Sequence, residues 1–133
     1  SIRRNLVPAT ALTAGTKTSQ VEQNIWGKGV RFYVTVASPT ASGTNDSFFL
    51  CAQIPGTSTI IPLAGFSAAN LLSVTGTWCF DFYPGAWLPV AGIAASGNLL
   101  GVAGVVLPSS WAAQLIYGTG NAGTVTVNAE ILP

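Results

Sequence analysis

Few side chains in this sequence can do chemistry. The acids are Glu22, Asp46, Asp81 and Glu130, the cations are Arg3, Arg4, Lys17, Lys28 and Arg31, and there is no histidine. Three tyrosines and two cysteines complete the titratable set. General acid–base catalysis needs two such groups that meet at one substrate. Without histidine every His-containing triad is excluded. Asp81 with Glu130 is the carboxylate pair a fold could bring together. Asp81 lies on a segment where Trp78, Phe80 and Phe82 share the opposite face, so a solvated or ion-paired carboxylate is expected there. No enzyme is expected, and no catalytic residue is assigned.

Metal and phosphate chemistry find no purchase either. Cys51 and Cys79 each lack a nearby second cysteine or histidine, so a zinc site is not expected. Their apolar neighbours predict reduced, buried thiols. The glycine-rich runs at 97–101 and 118–120 lack the Lys-Ser/Thr pair of a phosphate loop and read as turns. No cofactor is expected. Of the four tryptophans, Trp78 and Trp111 sit in alternating segments and read as core. Trp26 and Trp87 sit in loop-like contexts and read as surface anchors, the residue type that dominates protein–protein hot spots. A carbohydrate-binding module would need an open aromatic row flanked by Asp, Asn or Arg, and no such cluster is visible along the chain.

The elements that must position these groups are bounded by composition. Only 7% of the 133 residues are charged, and the mean hydropathy is positive. A freely soluble monomer usually carries about a quarter. Between Asp81 and Glu130 there is no Asp, Glu, Lys, Arg or His at all. Either a membrane or other protein covers such a surface. Residues 86–107 are uncharged and long enough to span, but Pro89, Gly92, Gly97, Gly101 and Gly104 punctuate them and no cation flanks them. They read as short buried segments joined by turns. A net charge of +1 is too small for an electrostatic nucleic-acid binder. All five cations fall in the first quarter. Arg3 and Arg4 can offer bidentate donors to carboxylates on a partner.

Period-2 alternation dominates the rest. Residues 1–18 are Thr- and Ala-rich without periodicity and read as an extended N-terminal arm. Nothing in residues 1–20 has the apolar run of a secretory leader. Residues 19–133 read as one domain. Strands are expected at 29–37, 48–54, 59–63, 77–83, 88–93 and 99–107. A short helix is expected within 64–72. Residues 111–117 and 124–132 alternate cleanly and are expected to form a hairpin around the glycine-rich loop 118–123. Strands at this spacing predict an all-β fold, an antiparallel β-sandwich or jelly roll.

The segment Leu107-Pro108-Ser109-Ser110-Trp111, the strand 112–117, glycine-rich 118–123 and the terminal run 124–132 resemble the small virion proteins of tailed bacteriophages. The resemblance is to the decoration or head-auxiliary type with a β-sandwich fold. The Thr/Ala-rich stretch 8–16 and the strand 30–36 fit it too. The resemblance implies a capsid decoration protein in the virion, with the major capsid protein or other virion subunits as partners and no catalytic residues. The scarcity of charge agrees, because permanently assembled subunits have core-like interfaces. A homo-oligomer is expected, with a trimer first, and neither nucleic acid nor a membrane as a direct partner. A small major coat, tail or neck subunit is the nearest alternative. The partner-binding residues expected are Arg3, Arg4, Trp26 and Trp87.

Overall fold

A computed structural model describes residues 2–24, 27–84 and 100–133. Among these residues, eight strands follow in chain order: β1 (Ile2–Thr18), β2 (Glu22–Gln23), β3 (Gly29–Thr40), β4 (Asn45–Gln53), β5 (Ile60–Ala69), β6 (Gly76–Phe82), β7 (Leu100–Ala103) and β8 (Ser110–Leu132). No helix occurs among the described residues. The strands form one hydrogen-bonded sheet in the order β5-β4-β8-β3-β6-β7, with β1 and β2 on the other edge of β8. Pairing is antiparallel except for β6 with β7. The sheet curls into a half-barrel. The expected all-β, antiparallel class is therefore found, in the layering of one curled sheet.

Curling follows from alternation plus ring packing. Val30, Phe32, Val34 and Val36 of β3 all turn inward and are buried. They lie beside Phe82, Phe80 and Trp78 of β6 and Ile131, Ala129, Val127 and Val125 of β8. Phe48 of β4 stacks on Phe80 of β6 at 4.7 Å, although these strands are not neighbours. Phe66 of β5 meets Phe80 at 5.2 Å. The β4–β5 wing thus folds over the β3–β6 wing, and the apolar faces close on each other. Trp78 and Trp111 are core residues, as their alternation predicted.

Two sequence expectations are corrected. The helix within 64–72 is strand to Ala69, followed by a turn in which Asn70 adopts a left-handed φ of 55°. Cross-strand pairing of 60–69 with β4 overrides local propensity, and Pro62 is tolerated because β5 lies at the end of the pairing order. The hairpin at 111–132 is instead one 23-residue strand, β8. Its glycine-rich middle is a bulge: residues 118–121 stand opposite Ala14 alone, between the pairs Gly15↔Tyr117 and Thr13↔Ala122. On its other edge β8 changes partner there, from β4 (last pair Ser47↔Ile116) to β3 (first pair Thr40↔Ala122). The chain between β3 and β4 crosses at this point. A Cβ on Gly118 would collide with the Asn45 carbonyl oxygen, so glycine is needed for the crossing.

Residues 2–18, expected as an extended arm, are extended and are laid as β1 along β8 of the same chain, from Ile131 to Gln114. Leu6 and Val7 are buried there, and Pro8 sits at a register shift on this outer strand, where its missing N–H is harmless. The expected strand at 88–93 lies outside the described residues. That at 99–107 is found as the shorter β7.

Candidate functional surface

The outward positions of β1, β8, β3 and β6 gather polar residues that are far apart in sequence. Register places Arg3 opposite Glu130, Glu130 opposite Arg31, and Arg31 opposite Asp81. One row across four strands therefore reads cation, anion, cation, anion. Cross-strand neighbours on one face lie about 5 Å apart, so such a row is mutually supporting. Arg31 grips Asp81 bidentately, Nε to Oδ1 at 2.7 Å and Nη2 to Oδ2 at 2.8 Å. The bonds to Asp81, and then that to Tyr33, raise the Arg31 pKa still further above its ordinary value. Asp81 and Glu130 do share a face, as the carboxylate-pair reading required, but Arg31 stands between them.

The next outward row is Asn5, Asn128, Tyr33 and Cys79. Asn5 Nδ2 donates to Asn128 Oδ1 at 2.8 Å. The Tyr33 hydroxyl donates to Glu130 Oε1 at 3.4 Å. A pocket of about 440 Å³ opens here, lined by Arg3, Arg4, Asn5, Tyr33, Asn128 and Glu130. Arg3 is held loosely, its Nε 4.0 Å from Glu130 and its side chain 82% exposed. Arg4 reaches Glu22 at 3.4 Å. Of the four residues expected to bind partners, Arg3 and Arg4 thus meet at one pocket; Trp26 and Trp87 lie outside the described residues. Sequence reasoning missed Asn5, Tyr33 and Asn128. The alternation at 30–36 and 124–132 already put Tyr33 and Asn128 outward, but strand order was needed to make them neighbours.

A second polar cluster is buried, where β8 bulges. Asp46 is fully buried and accepts four hydrogen bonds. Oδ1 takes Gly118 N–H (2.9 Å) and Asn121 Nδ2 (2.8 Å); Oδ2 takes Leu72 N–H (3.0 Å) and the Ser73 hydroxyl (2.7 Å). Asn121 in turn donates to the Thr44 carbonyl and accepts from Ser42 N–H and Oγ. The Tyr117 hydroxyl donates to the Leu72 carbonyl at 2.7 Å, and burial, then Asp46, raises its pKa. Both oxygens of Asp46 are engaged by donors from this chain, so the cluster reads as a structural clasp joining β4, the turn after β5 and β8.

The cysteines are free. Cys51 is buried and Cys79 half-buried, with Sγ 3.7 Å from Asp81 Oδ1. Burial pushes both thiols up to about 11, helped at Cys79 by Asp81. Among the described residues no group of three or more Cys, Asp or Glu is placed to hold a metal, and no helix is long and apolar enough to cross a membrane. Comparison with models of protein families, with curated proteins and with solved structures finds no match to this chain.

Proposed function

We propose that the chain is a structural subunit of a virion, and in the first place a decoration (cement) protein that binds and stabilises a phage head. What carries the reading is the disposition of charge. Of nine formal charges, Asp46 is buried, while Arg31 faces Asp81, Arg4 faces Glu22 and Arg3 faces Glu130. Little charge is left to keep copies apart. The β4–β5 end exposes Ile54, Ile61 and Leu63 at about 40% each, and residues 54–69 carry no charge. Strand edges of soluble monomers are usually blunted by charge. Burial against the major capsid protein or further copies removes this surface from water at about 25 cal/mol per Å². Within this reading the β4–β5 and β3–β6 wings serve as the two layers of a sandwich or jelly roll. A coat, tail or neck subunit would use the same surfaces.

The test is negative-stain imaging with sedimentation of the purified protein. Rings, shells or a discrete oligomer, a trimer first, are expected. A dispersed 13.6 kDa monomer at micromolar concentration would overturn the self-assembling reading.

A further inference from the structure

The outer-face pocket has a composition that assembly alone does not require. It lies on three paired strands, β1, β8 and β3, so its groups are held by backbone rather than by loops. Its volume of about 440 Å³ is that of a small-molecule site. The bond from Asn5 Nδ2 to Asn128 Oδ1 fixes both amides. That bond leaves Asn5 Oδ1 as an acceptor and the Asn128 Nδ2 hydrogens as donors for a ligand. Adjacent acceptor and donor groups suit vicinal hydroxyls, each of which donates and accepts. Tyr33 adds an aromatic ring for the apolar C–H face of a pyranose, with its hydroxyl engaged by Glu130. Arg3, 82% exposed and 4.0 Å from its carboxylate, keeps a guanidinium edge for an anion. Arg4 is already paired with Glu22, so Arg3 and Glu130 leave the lining near neutral, with exposed Arg3 as the cation a ligand can reach. That balance favours a monoanion, and Glu130 opposes polyanions such as nucleic acid.

We propose that this pocket binds an acidic sugar, a hexuronate-type saccharide with one carboxylate per ring. The carboxylate pairs with Arg3, the hydroxyls bond the Asn5–Asn128 amides, and the ring lies against Tyr33. This goes beyond the virion reading and does not depend on it.

The probe is free glucuronate, titrated into the isotope-labelled full chain and followed by amide proton–nitrogen spectra, with glucose and acetate as controls. Saturable shifts at residues 3–5, 31–33 and 128–130, with millimolar or tighter affinity, are expected. Glucuronate should bind more tightly than either control. Arg3→Gln should weaken glucuronate about tenfold, the worth of one charge-assisted bond, and leave the glucose response unchanged. Asn128→Ala should abolish both sugar responses while the rest of the spectrum keeps its folded pattern. No response, a response mapping elsewhere, acetate as effective as glucuronate, or an unchanged affinity in Arg3→Gln would each overturn the proposal.

Discussion

Replacing Asp46 by asparagine exchanges one carboxylate oxygen for an amide nitrogen and tests the clasp directly. The new nitrogen must occupy the place of Oδ1 or Oδ2. At Oδ1 it would face Gly118 N–H and Asn121 Nδ2, two donors, and Asn121 cannot turn because its own oxygen is held by Ser42 N–H at 2.7 Å. At Oδ2 it would face Leu72 N–H and the Ser73 hydroxyl. The hydroxyl can rotate and accept, so this arrangement leaves one orphan, the buried Leu72 N–H. An orphaned donor costs about 1–3 kcal/mol. The two bonds at Oδ1 also lose their charge assistance, about 0.5–1 kcal/mol each. Opposing this, the amide no longer desolvates a carboxylate, and Asp46 has no ion-pair partner among the described residues. Four convergent donors make the hydrogen bonds win. Asp46→Asn should therefore lose about 2–4 kcal/mol, a fall in Tm of roughly 10 °C. Asp46→Ala orphans every donor and removes an amount comparable with a whole domain's stability of about 5–15 kcal/mol, so it should not fold. Urea unfolding followed by the fluorescence of buried Trp78 and Trp111 measures both. Ser73→Ala, losing one bond, should cost about 1 kcal/mol in the native background and less when combined with Asp46→Asn. An Asp46→Asn protein as stable as the parent would refute the reasoning.

Three further outcomes are expected. Gly118→Ala drives a Cβ into a backbone oxygen and should cost about 2–3 kcal/mol in thermal unfolding. Gly43→Ala, with φ +90° but nothing within 4 Å, should cost about 1 kcal/mol, and the reverse order would show that the crossing is not tight. Cys51 and Cys79 hold their protons more tightly folded, to about 11, than the ordinary 9, so their contribution is full below pH 9 and is lost as pH rises towards 11. For buried Cys51 the loss is about 2–3 kcal/mol. Tyr117 adds to the same slope. Unfolding curves that do not move between about pH 9 and 11 contradict this, and a thiol reagent at neutral pH should reach half-buried Cys79 before Cys51. Deleting residues 2–18 strips Leu6 and Val7 from the core and bares one edge of β8, so the truncated chain should aggregate or unfold. A soluble, cooperatively folding truncation would instead make β1 a detachable arm.

The sequence by itself determined the class of structure and, in the strands that alternate, the face each residue takes. Alternation at 30–36, 78–82 and 125–131 names the inward valines and aromatics because a strand has a period of two, whatever its neighbours. The same parity turned Arg31, Tyr33, Cys79, Asp81, Asn128 and Glu130 outward. It could not say which strand lies beside which, because pairing is a long-range choice decided by how the wings close on Phe48, Phe66 and Phe80. Strand order alone put Arg31 between Asp81 and Glu130 and brought Asn5 to Asn128. Gly118–Gly123 carries a hairpin's composition, yet a missing Cβ serves a turn and a close crossing equally. The Asn45 carbonyl and the Asp46 carboxylate at that crossing made it a bulge. Residues 2–18 lack periodicity because their partner, β8, supplies the register; a strand without alternation is legible only from the edge it covers.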